Sequence, residues 1–201
     1  MKIFYIFGKS GTGKDTLKNN LLKVTDVELT PLIVVTDRPI RVGEKEGENY
    51  IFKTPEEFSE LINNDELMEY REYTVYDGNG EKAIWRYGTF KVDPKAGDNT
   101  LYIGIGSIES YKFIKNLYGD SVVPIYIMVN DDERLHRLII RDGNNKNKLK
   151  EICRRFIAEC DEYSSDELNA LHLSRHAVFN NKSMPDMISK VIAYILKEKR
   201  K

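Results

Sequence analysis

The sequence predicts an α/β fold with a mostly parallel sheet covered by helices on both sides. Three observations lead there. Short apolar runs of strand length alternate along the chain with segments whose apolar residues fall at helical spacing. Several runs, such as Ile3 to Phe7, Leu101 to Ile105 and Val122 to Val129, are apolar without alternation, as in strands buried on both faces. Between the first run and the first helical segment stands GKSGTGKDT, Gly8 to Thr16. Loops at the carboxyl ends of strands are where such sheets bind ligands.

That loop fits Gly-x-x-x-x-Gly-Lys from Gly8 to Lys14, with Asp15 where Ser or Thr usually follows. By composition the three fixed positions would recur in roughly one chain in fifteen of this length, so the flanking strand and helix carry the argument. A glycine-rich turn at a helix start is a phosphate cradle. Its N–H groups point inward, the helix end adds positive potential, and Lys14 can reach β- and γ-phosphates.

The elements follow in order. A helix carries Leu17, Leu21, Leu22 and Val24, and a short strand spans Leu32 to Val35. The loop Thr36 to Asn49 leads to a helix opened by Pro55, with Phe58, Leu61 and Ile62 inward. Leu67 to Tyr76 and Lys82 to Tyr87 read as a hairpin around Asp77-Gly78-Asn79-Gly80. After the strand Leu101 to Ile105 comes a helix from Ser107 to Leu117, then the strand Val122 to Val129. Asp131 and Asp132 suit the start of a helix with Leu135, Leu138 and Ile139, broken over Asp142 to Lys148. A helix from Leu149 to Tyr163, a strand from His176 to Phe179 and a helix from Met184 to Lys197 close the chain.

The totals narrow the function. At 201 residues there is room for one well-buried domain with at most a small mobile lobe. With 31 basic and 32 acidic residues, no global charge draws the chain to nucleic acid or anionic membrane, so phosphate affinity must be local. Five apolar residues after Lys2 are too few for a signal peptide, and no run approaches membrane-spanning length. Cys153 and Cys160 read as reduced core thiols. Together these set the expectation of a cytoplasmic protein with no nucleic-acid or membrane partner, either a monomer or a small homo-oligomer. No His/Cys cluster has zinc spacing, and His136, His172 and His176 form no arrangement with a nucleophile.

Two further groups bear on chemistry. Arg38 and Arg41 flank Pro39, and their planar forks, with the hydroxyl of Tyr50, suit a phosphate monoester. Taken alone, two arginines in a loop are also what a solvated surface carries. Arg134, Arg137 and Arg141 are spaced three and four apart, read as a helical face opposite Leu135 and Leu138, with Arg154 and Arg155 on the next helix.

The loop TDRPIRVGEKEGENY, Thr36 to Tyr50, resembles the acceptor-phosphate loop of the guanylate kinase family. The likeness extends to the phosphate loop, to YGT at Tyr87 to Thr89, to the arginine-bearing helices and to the late Phe-Asn-Asn strand. It implies a three-layer P-loop NTPase fold with a core (1–36, 90–140, 156–201), a small mixed-β acceptor-binding lobe (37–89) and a helical lid (141–155). It implies transfer of the ATP γ-phosphoryl group to a nucleoside monophosphate, GMP or dGMP, with Mg2+. By this resemblance Gly8, Ser10, Gly11, Thr12, Gly13, Lys14, Asp15 and Thr16 hold ATP, and Asp15 and Thr16 meet the metal. Arg38, Arg41, Tyr50, Tyr87 and Thr89 hold the acceptor, Glu69 reads its base, and Lys14, Arg137, Arg141 and Arg155 serve the transfer. Chemistry supports Glu69 independently: an ionised carboxylate only accepts hydrogen bonds, and the guanine edge offers two adjacent N–H donors.

The sequence departs from the family pattern at four other places. Asp15 follows the lysine, Val34 replaces a base-contacting serine, Gly104 and Gly106 replace two aspartates, and the Tyr73 to Arg86 hairpin is longer by roughly nine residues. These leave open a different phosphorylated acceptor, such as another nucleotide or a phosphorylated pentose, and a non-catalytic binding module.

Overall fold

The computed structural model describes residues 1–40, 44–47, 50–76, 81–92, 99–143 and 145–200, with Tyr76 and His176 described through their backbone. Arg41 and the turn 77–80 therefore lie outside the described residues. The chain divides into two compact units, Met1–Pro31 with Gly97–Lys201, and Leu32–Ala96.

The first unit is built on β1 (Lys2–Phe7), which runs into the loop and α1 (Lys14–Leu21), followed by the short β2 (Thr30–Pro31). The second unit supplies β3 (Val34–Thr36), β4 (Ile51–Phe52), α2 (Pro55–Asn63), β5 (Leu67–Tyr76) and β6 (Lys82–Phe90). The first unit resumes with β7 (Leu101–Gly106), α3 (Ile108–Tyr118), β8 (Val122–Met128), α4 (Asp131–Asp142), α5 (Lys146–Glu162), α6 (Ser165–Ala170), β9 (Val178–Asn180) and α7 (Met184–Lys199).

In the first unit five parallel strands lie in the order β2-β7-β1-β8-β9. Both faces of β1 are covered, which is why its sequence does not alternate. Phe4 and Ile6 join Leu17 and Leu21 of α1 and Met187, Val191 and Ile195 of α7 in one core. Tyr5 and Phe7 face the other way, and the Phe7 ring stacks on Tyr111 of α3 at 4.5 Å between centroids. Gly106 is explained here: a Cβ at that position would stand 2.2 Å from the Tyr5 hydroxyl. The place where the family pattern has an aspartate is taken up by a tyrosine.

The second unit is a four-stranded mixed sheet, β4-β3-β6-β5. One face is apolar, with Val35 and Leu67 buried against Phe58 of α2. The helix begins sharply because Thr54 and Glu57 form a reciprocal capping box and Pro55 presets the first turn. Gly88 belongs to this face: a Cβ would meet Leu67 at 2.7 Å. The opposite face is polar.

Several expectations shift. β2, β4 and α6 carried no sequence signal strong enough to read, being two, two and six residues long. The break between α4 and α5 is shorter than Asp142 to Lys148, because Asn145 caps α5 by accepting from the Lys148 N–H at 2.9 Å. Cys153 is exposed rather than a core thiol, and both cysteines are free. Arg134 is fully buried on the same stripe of α4 as Leu138, not on a face opposite it. The two residues lie one helical turn apart, and the helical period itself groups them. No helix among the described residues is long and apolar enough to cross a membrane.

Candidate active site

The loop after β1 is held open by its glycines. Gly11 and Gly13 have φ of 81° and 90°, and a Cβ on Gly13 would lie 2.6 Å from the Asn181 amide nitrogen. Only glycine adopts this path freely. Lys14 folds back under the loop, where its ammonium donates to the carbonyls of Gly8 (2.7 Å) and Lys9 (2.9 Å). Thr12 Oγ1 donates to the Lys9 carbonyl at 2.8 Å, and Asn181 Nδ2 donates to the Thr12 carbonyl at 2.8 Å. Burial lowers the Lys14 pKa, helped by the charges of Arg141 and Arg134 and opposed by Asp15 and Glu159. An ammonium so placed gains when an anion arrives. Asp15 and Thr16 sit exposed in the first turn of α1.

Around the loop lies a charge network that the sequence did not reveal. Glu159 of α5 accepts from the Ser10 N–H at 2.9 Å and from the Ser10 hydroxyl. Its other oxygen accepts from Arg134 Nη1 at 2.6 Å. The Arg134 guanidinium lies 3.9 Å from the Phe156 ring centroid and donates through Nε to Asp131 at 3.0 Å. Lys9 reaches the same Asp131 carboxylate at 3.2 Å. Burial would raise the Asp131 pKa, but the hydrogen bonds from Arg134 and Lys9 outweigh it and hold it below the usual value. The signal that could have found this cluster is Glu159 three residues after Phe156, a spacing that puts both on the stripe of α5 that meets buried Arg134.

Arg137 donates to Glu133 at 2.9 Å and reaches the Asn181 carbonyl at 3.5 Å, next to the loop. Arg141, more than half exposed, pairs with Asp142 at 2.6 Å, and Arg155 lies 3.8 Å from Glu151. The structure brings Arg137 to the loop surroundings and leaves Arg155 on its own helix surface.

In the second unit the polar face of the sheet gathers Glu69, Tyr87 and Thr89. Pairing places Val34, Thr89 and Glu69 in one cross-strand row and Thr36, Tyr87 and Arg71 in the next. Glu69 is 5% exposed. It accepts from Thr89 Oγ1 at 2.6 Å and from Arg71 Nε at 3.0 Å. The Tyr87 ring packs edge-on against Tyr50 (5.9 Å) and Tyr73 (5.8 Å). Arg38, almost wholly buried, makes a bidentate pair with Glu44 at 2.7 and 2.5 Å and lies 5.1 Å from the Tyr50 ring centroid. Hydrogen bonding to Glu44 outweighs burial and raises the Arg38 pKa.

The chain matches the Guanylate kinase family profile over residues 1–198. The chain belongs to the guanylate kinase family. Among its relatives is a Guanylate kinase of Malacoplasma penetrans, 30% identical over 89% of this chain and 92% of the relative. Another, from Streptococcus pyogenes serotype M3, is 41% identical over 87% of this chain and 75% of the relative. In fold the chain is similar to the crystal structure of guanylate kinase from Anaplasma phagocytophilum, with TM-score 0.65 and 21% identity over all of this chain and 87% of that one. This family membership does not favour a different acceptor or a non-catalytic module.

Proposed function

We propose that this chain transfers the γ-phosphoryl group of ATP to GMP through residues divided between its two units. As a guanylate kinase family member it is an ATP-dependent nucleoside monophosphate kinase. In this reading Gly8 to Thr16 wrap the ATP phosphates: Gly11, Thr12 and Gly13 offer backbone N–H groups and Lys14 its ammonium, while Gly8 and Ser10 shape the turn, the Ser10 N–H being held by Glu159. Arg38, Arg41, Tyr50 and Tyr87 hold the GMP phosphate, and Glu69 with Thr89 reads the base. Arg137, Arg141 and Arg155 stabilise charge on the moving group, with residues 141–155 as the lid and 37–89 as the acceptor lobe.

The observation that carries the reading is the buried Glu69 carboxylate on the same sheet face as Tyr87. A buried carboxylate that only accepts hydrogen bonds is the complement of the guanine N1–H and N2–H pair. No general base is required, because the attacking phosphate oxygen is already anionic. The protein's share is positioning and charge stabilisation.

Magnesium fits as an ion that arrives with ATP. Asp15 and Thr16 are exposed at the loop mouth, and among the described residues no three His, Cys, Asp or Glu side chains form a preformed cage. When bound, the ion offsets charge on the β- and γ-phosphates, and Asp15 and Thr16 are the residues that would hold it. A cytoplasmic setting, where both nucleotides are supplied, belongs to the same proposal.

The test is direct. With ATP and Mg2+, ADP should form when GMP or dGMP is added and not with AMP, CMP or UMP. ADP release that ignores GMP would overturn the assignment.

A further inference from the structure

Glu69 alone accounts for only part of a guanine. Its two oxygens can accept from N1–H and N2–H, but nothing in a carboxylate can recognise the O6 carbonyl beside them. Val34, in the same row as Glu69 and Thr89, is apolar and has no proton to offer. The next row along β5 supplies one. Glu69, Arg71 and Tyr73 alternate on a single face of the strand. Arg71 Nε donates to one Glu69 oxygen at 3.0 Å, and Arg71 Nη1 donates to the Tyr73 hydroxyl at 3.0 Å. Its side chain is 14% exposed. The guanidinium is thereby fixed on both sides, in a region where a mobile surface arginine would not be.

We propose that Arg71 is a specificity-determining residue, donating to O6 of the acceptor base beside the two hydrogen bonds that Glu69 accepts. This rests on the reading of GMP as acceptor and Glu69 as base reader. The order of groups carries it. Thr89 holds one Glu69 oxygen and Arg71 the other, so the face runs Thr89, oxygen, oxygen, Arg71. The guanine edge runs N2–H, N1–H, O6. Laid against each other, each donor meets an acceptor, and O6 meets the guanidinium. Each carboxylate oxygen accepts more than one hydrogen bond, and a guanidinium has five N–H groups, so both can hold one another and a base together. Adenine would bring an amino group to Arg71, donor against donor, and leave Glu69 facing a ring nitrogen that has no proton.

The experiment compares GMP with its 6-thio analogue, which keeps N1–H and N2–H but replaces O6 with sulfur, a weak acceptor. Wild type should prefer GMP by about 10–100-fold in kcat/KM. Arg71→Met should lose about that factor for GMP, mainly through KM, and little for the thio analogue, so the preference collapses. Arg71→Lys, which keeps a donor, should retain most of it. Should Arg71→Met fail to fold, the 15N guanidinium resonance of Arg71 in wild type decides instead: it should shift with GMP and not with the thio analogue. Equal use of both nucleotides by wild type, an equal loss for both in Arg71→Met, or an unmoved resonance would overturn the proposal. Wild type giving no ADP with GMP at all would instead sink the functional reading beneath it.

Discussion

The two units hold their polar groups in different ways. In the first, the loop is braced by residues far away in sequence: Glu159 holds Ser10 across 149 residues, and Asn181 holds Thr12 across 169. In the second, Arg38 and Arg71 pair with carboxylates close by in sequence, Glu44 six residues on and Glu69 two residues back, although Thr89 holds Glu69 across 20 residues. On the proposed reading, a distant brace fixes the path of the loop before any ligand arrives, so a triphosphate would meet a cradle already shaped for it. Local ion pairs leave a charged group neutralised at rest, and on the proposed reading the GMP phosphate must compete for the arginine that Glu44 holds. The first arrangement favours tight, unselective grip on phosphates, and the second favours selectivity.

The largest effect expected is on the donor side. Lys14→Met should keep the fold and cost about 10³-fold or more in turnover, measured by ADP formation. It also has a pH signature. The folded Lys14 pKa lies below its ordinary value of 10.5. Below the folded pKa both states keep the proton and the burial penalty is complete. As pH climbs through the folded value, the native state sheds its proton while the unfolded chain keeps it, so the ligand-free protein gains stability until the ordinary value is passed. Lys14→Met should lack that alkaline gain in melting experiments. If both proteins respond alike, the lysine is not desolvated as the structure has it.

Next comes the brace itself. Glu159→Ala strips one of two carboxylate partners from the fully buried Arg134, leaving Asp131, and should cost about 3 kcal/mol. That is roughly 10 °C in melting temperature for a chain of this size. The KM for ATP should rise with it, since the Ser10 N–H loses its anchor, while the KM for GMP should hardly move. A rise in both would show that the two halves are not braced separately. The smallest effect lies on the acceptor side. Glu44→Gln leaves Arg38 without its anionic partner, so the free protein should be slightly less stable and GMP should raise its melting temperature by more than in wild type. An unchanged GMP shift would mean that Glu44 and the nucleotide do not compete for the guanidinium.

Much of the fold was legible because its signals are local and redundant. The β5 strand was read with its bounds, and β1, β7 and β8 were plain from their unbroken apolar runs. Short pieces such as β2 and β4 carry too few residues for a period to appear. The nucleotide loop was legible because glycine spacing is a backbone requirement. The arginines were not, since a guanidinium's fate depends on what faces it. The helical period puts Arg134 on one stripe with Leu138, but an arginine is kept there, fully buried, because α5 brings Glu159 and Phe156 against it. Nothing near Arg134 in the sequence announces those partners. Arg71 went unnoticed for the opposite reason, being an ordinary residue in an alternating strand until its carboxylate neighbour gave it a role.

The clasp between Asn181 and Thr12 bears on how the chain comes into being. The Gly8 to Thr16 loop leaves the ribosome well before the amide that steadies it, which follows Thr12 by 169 residues. A nascent chain therefore carries an unfinished loop while those residues are made, and Asn181, directly after β9, acts as the completing stroke.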